Sequence, residues 1–287
     1  MGWAPHSLSP KEAIRGPVRS LRPAREQPGR ARVKLTGMKH LGIDIGGTGV
    51  KGAIVDTKKG VFVTDRLRIE TPRPATPDAV AKVVAQIVEH FDWHDAFGCT
   101  FPGVVTHGVI RTAANMDPSW IGVDARDVFE KAAGAKVAVM NDADAAGVAE
   151  VAFGAAKGIK GVVHVVTLGT GIGSALISHG ELVPNTELGH LELNGSDAEP
   201  YAAEVVRERE SLSWDEWAAR LTEYFTMLEN LIWPDLFVVG GGVSKDADAW
   251  LPMVKTRTEI VPARLRNKAG IIGAALLSHR SLEMKKK

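Results

Sequence analysis

The sequence predicts an α/β fold built as two similar domains around a central cleft, and three observations in its 287 residues carry that prediction. A glycine turn between two β-prone runs occupies residues 41–56. A second turn of the same design occurs about 120 residues later, at 167–178. Between and after these turns, short apolar runs alternate with segments of helical periodicity.

In the first copy, LGIDIGGTGVKGAIVD, Leu41, Ile43 and Ile45 alternate with smaller or polar residues, and Val50, Ala53, Ile54 and Val55 resume an apolar strand, so a β-hairpin is expected. Gly46, Gly47 and Gly49 leave no Cβ to obstruct a ligand and let backbone N–H groups converge on an anion. Thr48 adds a hydroxyl and Lys51 a cation, whereas Asp44 suits a metal-bound water better than a phosphate. A glycine hairpin without a ligand fits the same letters, and it is the second copy that favours an anion. A third strand is expected over 61–69, then a helix capped by Thr76 with Pro77 at its first position and Val80, Val83, Val84, Ile87 and Val88 as its buried stripe. A strand over 96–101 ends at Pro102 and Gly103, and a loop runs through Asn115. Residues 123–133 read as helix, 136–140 as a strand ending at Asn141 and Asp142, and 143–153 as an alanine-rich helix.

The second half repeats the theme. Val162, Val163, Val165 and Val166 lead into a turn at Gly169, Thr170 and Gly171, and Ala175, Leu176 and Ile177 follow. A loop, a long helix over 213–233, and a strand over 236–239 come next. The strand opens into a third glycine turn containing Gly241 and Gly242, at the kind of strand end where nucleotides sit in α/β sheets. A helix over 246–254, a strand over 260–265 and a final helix from 269 to about 282 complete the chain, and the glycines and alanines opening that last helix permit close packing. The expected division is a small α/β domain, 38–140 with the helix 268–284 added, and a larger one, 141–267.

Composition fits an ordinary globular protein, with 45% hydrophobic and 24% charged residues. The single cysteine, Cys99, excludes a disulfide framework and a cysteine-rich zinc site, and points to a reducing, cytoplasmic setting. No apolar run approaches the roughly 20 residues of a membrane span, so no membrane contact is expected. Residues 1–40 carry a net charge of +7 against +1 for the whole chain, which leaves −6 for the rest. The first 36 residues hold five prolines without periodicity, so 1–37 reads as a disordered basic extension. A start codon assigned ahead of Met38, a solvated tail and a transit-like segment all fit it.

Two polar constellations can carry chemistry. Asn141 and Asp142 stand at a strand's C-terminal end, where a carboxylate can take the proton from a hydroxyl attacking a phosphoryl group, though Asp142 reads equally as a helix cap. Glu187 and His190, followed by Glu192 and Glu199, sit in a glycine-flanked loop and offer the carboxylates and imidazole that engage the hydroxyls of a polyol. Surface carboxylates and a metal site are the rival readings of that loop, and 191–200 supplies no zinc-binding spacing. Trp214, Trp217, Tyr224, Phe225 and Leu228 fall at helical spacing and read as core.

DIGGTGVKG, FPG, Asn141-Asp142, LGTGIG, ELGH and GGGVS, in this order from Met38 to about residue 284, resemble the ROK family of sugar kinases within the actin-like ATPase (ribonuclease H-like) superfamily. The resemblance implies a duplicated two-domain fold with the sugar in the cleft and Asp142 as general base for its 6-hydroxyl. It implies sugar contacts from Gly103, Asn115, Asn141, Asp142, Glu187, His190 and Glu199. Donor contacts are implied for Asp44, Gly46, Gly47, Thr48, Lys51, Thr170, Gly171, Gly241 and Gly242, with Mg²⁺ held by water on Asp44 and no direct protein ligand assured. Many members carry a cysteine-rich zinc loop after ExGH; here LELNGSDAEPYAA has no cysteine, so no structural zinc site is expected. ELGHLEL with DAE, NDADAAG and SLSWDEW resemble the polyphosphate glucokinase branch, which implies inorganic polyphosphate, in some members also ATP, as donor to glucose, and mannose as a further acceptor in the glucomannokinases. A homodimer is usual among relatives. A polyphosphate chain needs a cationic track, for which Lys51, Lys255, Arg257, Arg264, Arg266 and Lys268 are candidates beside their reading as a solvated face. An ATP-only hexose kinase is the neighbouring reading. A DNA-binding sugar-responsive regulator is the remote one, and the proline-rich 1–36 offers no helix-turn-helix, so no nucleic acid is expected as a partner.

Overall fold

The computed structural model describes residues 39–284, and the basic extension expected at 1–37 lies outside the described residues. The first half runs β1 (Lys39–Gly46), β2 (Gly49–Asp56), β3 (Val61–Phe62), β4 (Leu67–Ile69), α1 (Pro77–His90), β5 (Phe97–Phe101), β6 (Val105–Thr106), β7 (Val109–Ile110), α2 (Ala125–Ala133) and β8 (Val137–Asn141). The second runs α3 (Asp142–Phe153), β9 (Val162–Leu168), β10 (Ile172–Ser178), β11 (Glu181–Val183), β12 (Glu192–Leu193), β13 (Ser196–Asp197), α4 (Glu199–Ala202), α5 (Glu204–Arg209), α6 (Trp214–Ile232), β14 (Leu236–Gly240), α7 (Ala247–Trp250), β15 (Ile260–Pro262) and α8 (Ala269–Met284).

The two main sheets repeat one plan. Their orders are β3-β2-β1-β5-β8 and β11-β10-β9-β14-β15, each an antiparallel hairpin continued on one side by two parallel strands. The parallel pairs need crossovers, and helices supply them. The strand period of two then sorts the side chains. Leu41, Ile43 and Ile45 of β1 and Phe97, Cys99 and Phe101 of β5 share one core with Val80, Val84 and Ile87 of α1. Gly42 and Gly98 fall on the opposite face, under α8, where a Cβ on Gly98 would lie 1.7 Å from the Ala274 carbonyl oxygen. α8 also lies on α3, with Gly273 against Ala145, and α3 in turn packs on β9 and β10, with Gly147 against Ala175. On the far face of the second sheet, α6 buries Trp217, Leu221, Tyr224, Phe225 and Leu228 against Val166, Phe237 and Val239. Burying each such side chain contributes roughly 1.5–3 kcal/mol.

Local differences from the sequence reading have local causes. The strand expected over 61–69 splits into β3 and β4 because the Thr64 hydroxyl accepts the Ile54 N–H at 3.0 Å, where a backbone carbonyl would continue the ladder. The strand expected to reach 265 stops at Pro262, after which the N–H groups of Arg264 and Leu265 donate to the buried Glu150 carboxylate at 3.2 and 2.7 Å. The helix expected over 246–254 is a short α7 flanked by 3-10 turns, the second of which contains Pro252. The loop expected between the second hairpin and α6 contains β11 to β13, α4 and α5. Thr76 caps α1 as expected, and Ser213 caps α6, its N–H and O–H both donating to the Glu216 carboxylate.

Candidate active site

The alternation that puts Gly42 and Gly98 under α8 also puts Asp44 and Thr100 on that face, at the C-terminal ends of their strands. Thr100 Oγ1 donates to Asp44 Oδ1 at 2.9 Å, and Lys51, the cross-strand partner of Asp44, places its Nζ 3.6 Å from Oδ2. Gly270, in the first turn of α8, abuts the same carboxylate: a Cβ there would sit 2.8 Å from Oδ1.

Asn141 ends β8 and caps α3. Its carboxamide oxygen accepts the Asp144 N–H at 3.0 Å and its nitrogen donates to the Gly103 carbonyl at 3.1 Å, so both ends of the side chain hold the fold together. Gly103 cannot be anything larger, because a Cβ would lie 2.3 Å from the Thr112 carbonyl oxygen. Asp142 is the first residue of α3, partly accessible, with its carboxylate accepting the Ala143 N–H at 2.9 Å. The cap is therefore Asn141, and Asp142 is left facing like charge. Burial, then Asp44, and more weakly Glu187, push its carboxyl up to about 7 against the pull of backbone N–H groups.

The loop of Glu187, His190 and Glu199 lies within electrostatic reach of Asp142. Burial raises the Glu187 carboxyl, His190 opposes the rise and Glu199 adds to it. His190 Nδ1 is 2.9 Å from Asp197 Oδ2, and that hydrogen bond raises the imidazole. Glu199 accepts the Ile172 N–H at 2.9 Å and fills the space beside Gly171, tying this loop to the second glycine turn. Gly241 stands at φ +90°, and a Cβ there would be 1.9 Å from the Leu168 carbonyl oxygen, so the third turn is pressed onto the second. Asp44 and Glu187 both act electrostatically on Asp142, Glu199 on Glu187, and Glu199 abuts Gly171 of the second turn. Asn115 is exposed and covers Gly47, with its Cβ 3.7 Å from where a Gly47 Cβ would stand, which places it by the first turn.

The sequence reading missed several residues here. Thr71, Arg73 and Arg68 donate to the carbonyls of Gly46, Gly47 and Thr48 respectively, the arginines at 3.3 and 2.9 Å. In planar trans peptides this leaves the Gly47 and Thr48 N–H groups facing the opposite way. Asn185, at φ +57°, pairs its carboxamide with both the N–H and the carbonyl of Val105, and its own N–H donates to Asp144 Oδ2 at 2.9 Å. Asp144 is 1% exposed, and its other oxygen has no hydrogen-bond partner among the described residues; burial pushes its carboxyl up to about 6. No sequence spacing announces these contacts.

Comparison with known proteins gives the arrangement a lineage. The ROK family profile matches residues 40–204. The chain belongs to the ROK family. It is 53% identical over 238 residues to a polyphosphate glucokinase of Mycobacterium tuberculosis (strain CDC 1551 / Oshkosh), covering 83% of this chain and 90% of that protein. A polyphosphate glucokinase of Mycobacterium leprae (strain TN) is 50% identical, over 83% and 74% of the two chains. The crystal structure of an inorganic polyphosphate/ATP-glucomannokinase from Arthrobacter sp. strain KM superposes with a TM-score of 0.81 at 52% identity, over 85% of this chain and 99% of that one. A ROK family glucokinase from Streptomyces griseus, in complex with glucose and AMPPNP, gives 0.72 at 25% identity, over 85% and 100%. The duplicated sheets are those of the actin-like ATPase fold.

Proposed function

We propose that this ROK protein is a glucokinase that moves the terminal phosphoryl group of inorganic polyphosphate, and of ATP, to the 6-hydroxyl of glucose. The observation that carries the reading is the environment of Asp142 at the strand end: burial and the Asp44 carboxylate of the first glycine turn raise its carboxyl to about 7, and Glu187 of the polyol-type loop adds to the rise. A base with that affinity is half ionised near neutral pH, where it can take a hydroxyl proton without holding it too tightly. The hydroxyl oxygen bonds to the terminal phosphorus, the bridging P–O bond breaks, the shortened chain leaves, and the proton passes to Asp142. Glu187, His190 and Glu199 hold the sugar, and the Gly47 and Thr48 amides with the second and third turns hold the donor. The relatives at 50–53% identity are named as polyphosphate glucokinases, which supports polyphosphate as donor, and the glucomannokinase neighbour supports mannose as a second acceptor.

Mg²⁺ belongs to the same reading. Asp44 is a single carboxylate at the donor turn, and no group of three acidic, histidine or cysteine side chains that could hold a metal ion occurs among the described residues. The cation would be held by water on Asp44 and by donor oxygens, and when bound it supplies charge neutralisation. A cytoplasmic location agrees with the lone cysteine; no helix among the described residues is long and apolar enough to cross a membrane. A homodimer agrees with the exposure of Leu231 and Trp233, 60% and 70%, at the end of α6.

The test is glucose 6-phosphate formation with Mg²⁺ and either long-chain polyphosphate or ATP as sole donor. Turnover with polyphosphate is expected. Turnover with ATP alone would make the protein an ordinary ROK hexokinase, and activity with neither donor would overturn the sugar assignment.

A further inference from the structure

Half of the cations considered for a polyphosphate track are already engaged. Lys51 pairs with Asp44, Arg257 lies 3.5 Å from the buried Glu229 and stacks on Trp233 at 4.4 Å, and Lys255 donates to the Pro252 carbonyl at 3.3 Å. Arg264, Arg266 and Lys268 differ: they are exposed, and no ion pair holds them among the described residues. Together with Arg66 they line a groove of about 660 Å³ that also includes Phe62 and Asn267 and contains no carboxylate.

The groove has a fixed wall and a fixed address. Its wall is the strap 264–268, whose Arg264 and Leu265 amides are anchored on Glu150, and Lys268 lies 5.7 Å from the centre of the Phe62 ring. Its address follows from both ends of that strap. The 3-10 turn Arg266–Lys268 contacts the turn Gly242–Asp246 that follows the third glycine turn, and two residues beyond it Gly270 abuts the Asp44 carboxylate. An adjoining cavity of about 580 Å³ shares Arg264 and Arg266, but its lining also carries the carboxylates of Asp248 and Glu259.

We propose that the carboxylate-free groove of Arg66, Arg264, Arg266 and Lys268 holds the distal, unreacting part of a linear polyphosphate chain whose terminal phosphate sits at Asp44 and Asp142. The proposal rests on the reading of polyphosphate as donor and adds the route by which the chain leaves the cleft. Single exposed ion pairs contribute little, whereas several phosphates held at once release several counterions, so affinity rises with chain length and falls steeply with salt. The ligand is a flexible anionic strand because the wall sets four cations and no carboxylate along a floor that includes Val61, Phe62 and Leu265, and its one ring, Phe62, already has the Lys268 ammonium 5.7 Å from its centre.

The experiment compares the full chain with R264Q/R266Q, R66Q/K268Q and the charge-conserving R264K/R266K. The donors are long-chain polyphosphate, tripolyphosphate and ATP, and binding of long-chain polyphosphate is also measured without turnover. The glutamine variants are expected to raise KM for long-chain donor on the order of tenfold or more and to flatten its salt dependence, with KM for tripolyphosphate and ATP and all kcat values within about twofold. R264K/R266K should retain the long-chain KM. Equal losses for all donors, or none, would overturn the groove, as would long-chain polyphosphate binding undiminished in the glutamine variants, or duplex DNA bound by the wild type as tightly as polyphosphate. A wild type that binds polyphosphate through these residues but makes no product from it would instead overturn the donor assignment and leave the groove standing.

Discussion

At Asp142, the base in the proposed reaction, the chain places a carboxylate where its own charge is disfavoured. Burial and the neighbouring Asp44 raise its carboxyl to about 7, so the ionised, proton-accepting form is depleted as pH falls through that value. kcat/KM for glucose should therefore drop along an acid limb near pH 7. D142N should remove the limb and lower kcat on the order of 10²–10⁴-fold while leaving glucose binding nearly intact, as measured by calorimetry. The same shift has a stability consequence of opposite sign. The folded chain retains a proton that the unfolded chain releases above the ordinary value of 3.8, so the group costs stability as pH rises toward and past 7. D142N should thus raise Tm at pH 8 and change it little near pH 4; a variant less stable at pH 8 would count against the buried-base picture. Asp142, Glu187 and His190 stood out in the sequence because each is a chemically useful residue beside a glycine or at a strand end. Asp144 and Asn185 did not, since an aspartate in a helix and an asparagine in a loop 41 positions away show nothing of their hydrogen bond until the chain is folded.

Elements owe their fit to residues without side chains. Gly42 and Gly98 admit α8 onto the first sheet, and Gly273 admits it onto α3. G98A would drive a Cβ into the Ala274 carbonyl, a backbone atom that cannot rotate away, and should cost on the order of 3 kcal/mol by urea unfolding. A loss below about 0.5 kcal/mol would show that α8 slides freely over the sheet. At the other end of this contact, His279 Nδ1 lies 3.2 Å from His40 Nε2, and burial, followed by His279, holds His40 down to about 4. Because the folded value is lower than the unfolded 6.5, the unfolded chain binds the extra proton. The stability that His40 contributes is complete above pH 6.5 and disappears as pH falls toward 4. Unfolding free energy should decline more steeply over that window in the wild type than in H40Q; parallel slopes would assign the acid loss to carboxylates. Helices α1 and α6 and both hairpins were legible because their periodicity extends over many residues. The split of β3 from β4 was not, since it depends on one threonine hydroxyl claiming one strand amide.

For the whole molecule, two copies of one sheet plan set three glycine turns around a common floor, and the strand ends deliver Asp44, Thr100, Asn141 and Asp142 to it. Polyphosphate adds a requirement that a nucleotide does not, a path for the remainder of the chain, and the acid-free groove beside the α8 N-terminus is the path proposed for it. The cations along it could not be selected from the sequence. Arg257 and Arg264 look equivalent as letters, yet one is pinned to Glu229 and Trp233 and the other stands free on a strap tied to Glu150.

By itself the sequence determined the duplicated α/β plan and the three glycine turns, because hydrophobic periodicity and glycine placement are local properties that each stretch carries alone; Asp142 as base came from the family resemblance, since as a letter it reads equally as a helix cap. Only the tertiary structure decided which amides the turns present, that Asn141 and not Asp142 caps α3, and which arginines face a common groove. Those outcomes depend on atoms brought together from distant positions, and burial, like charge and competition for hydrogen-bond partners act only once they meet.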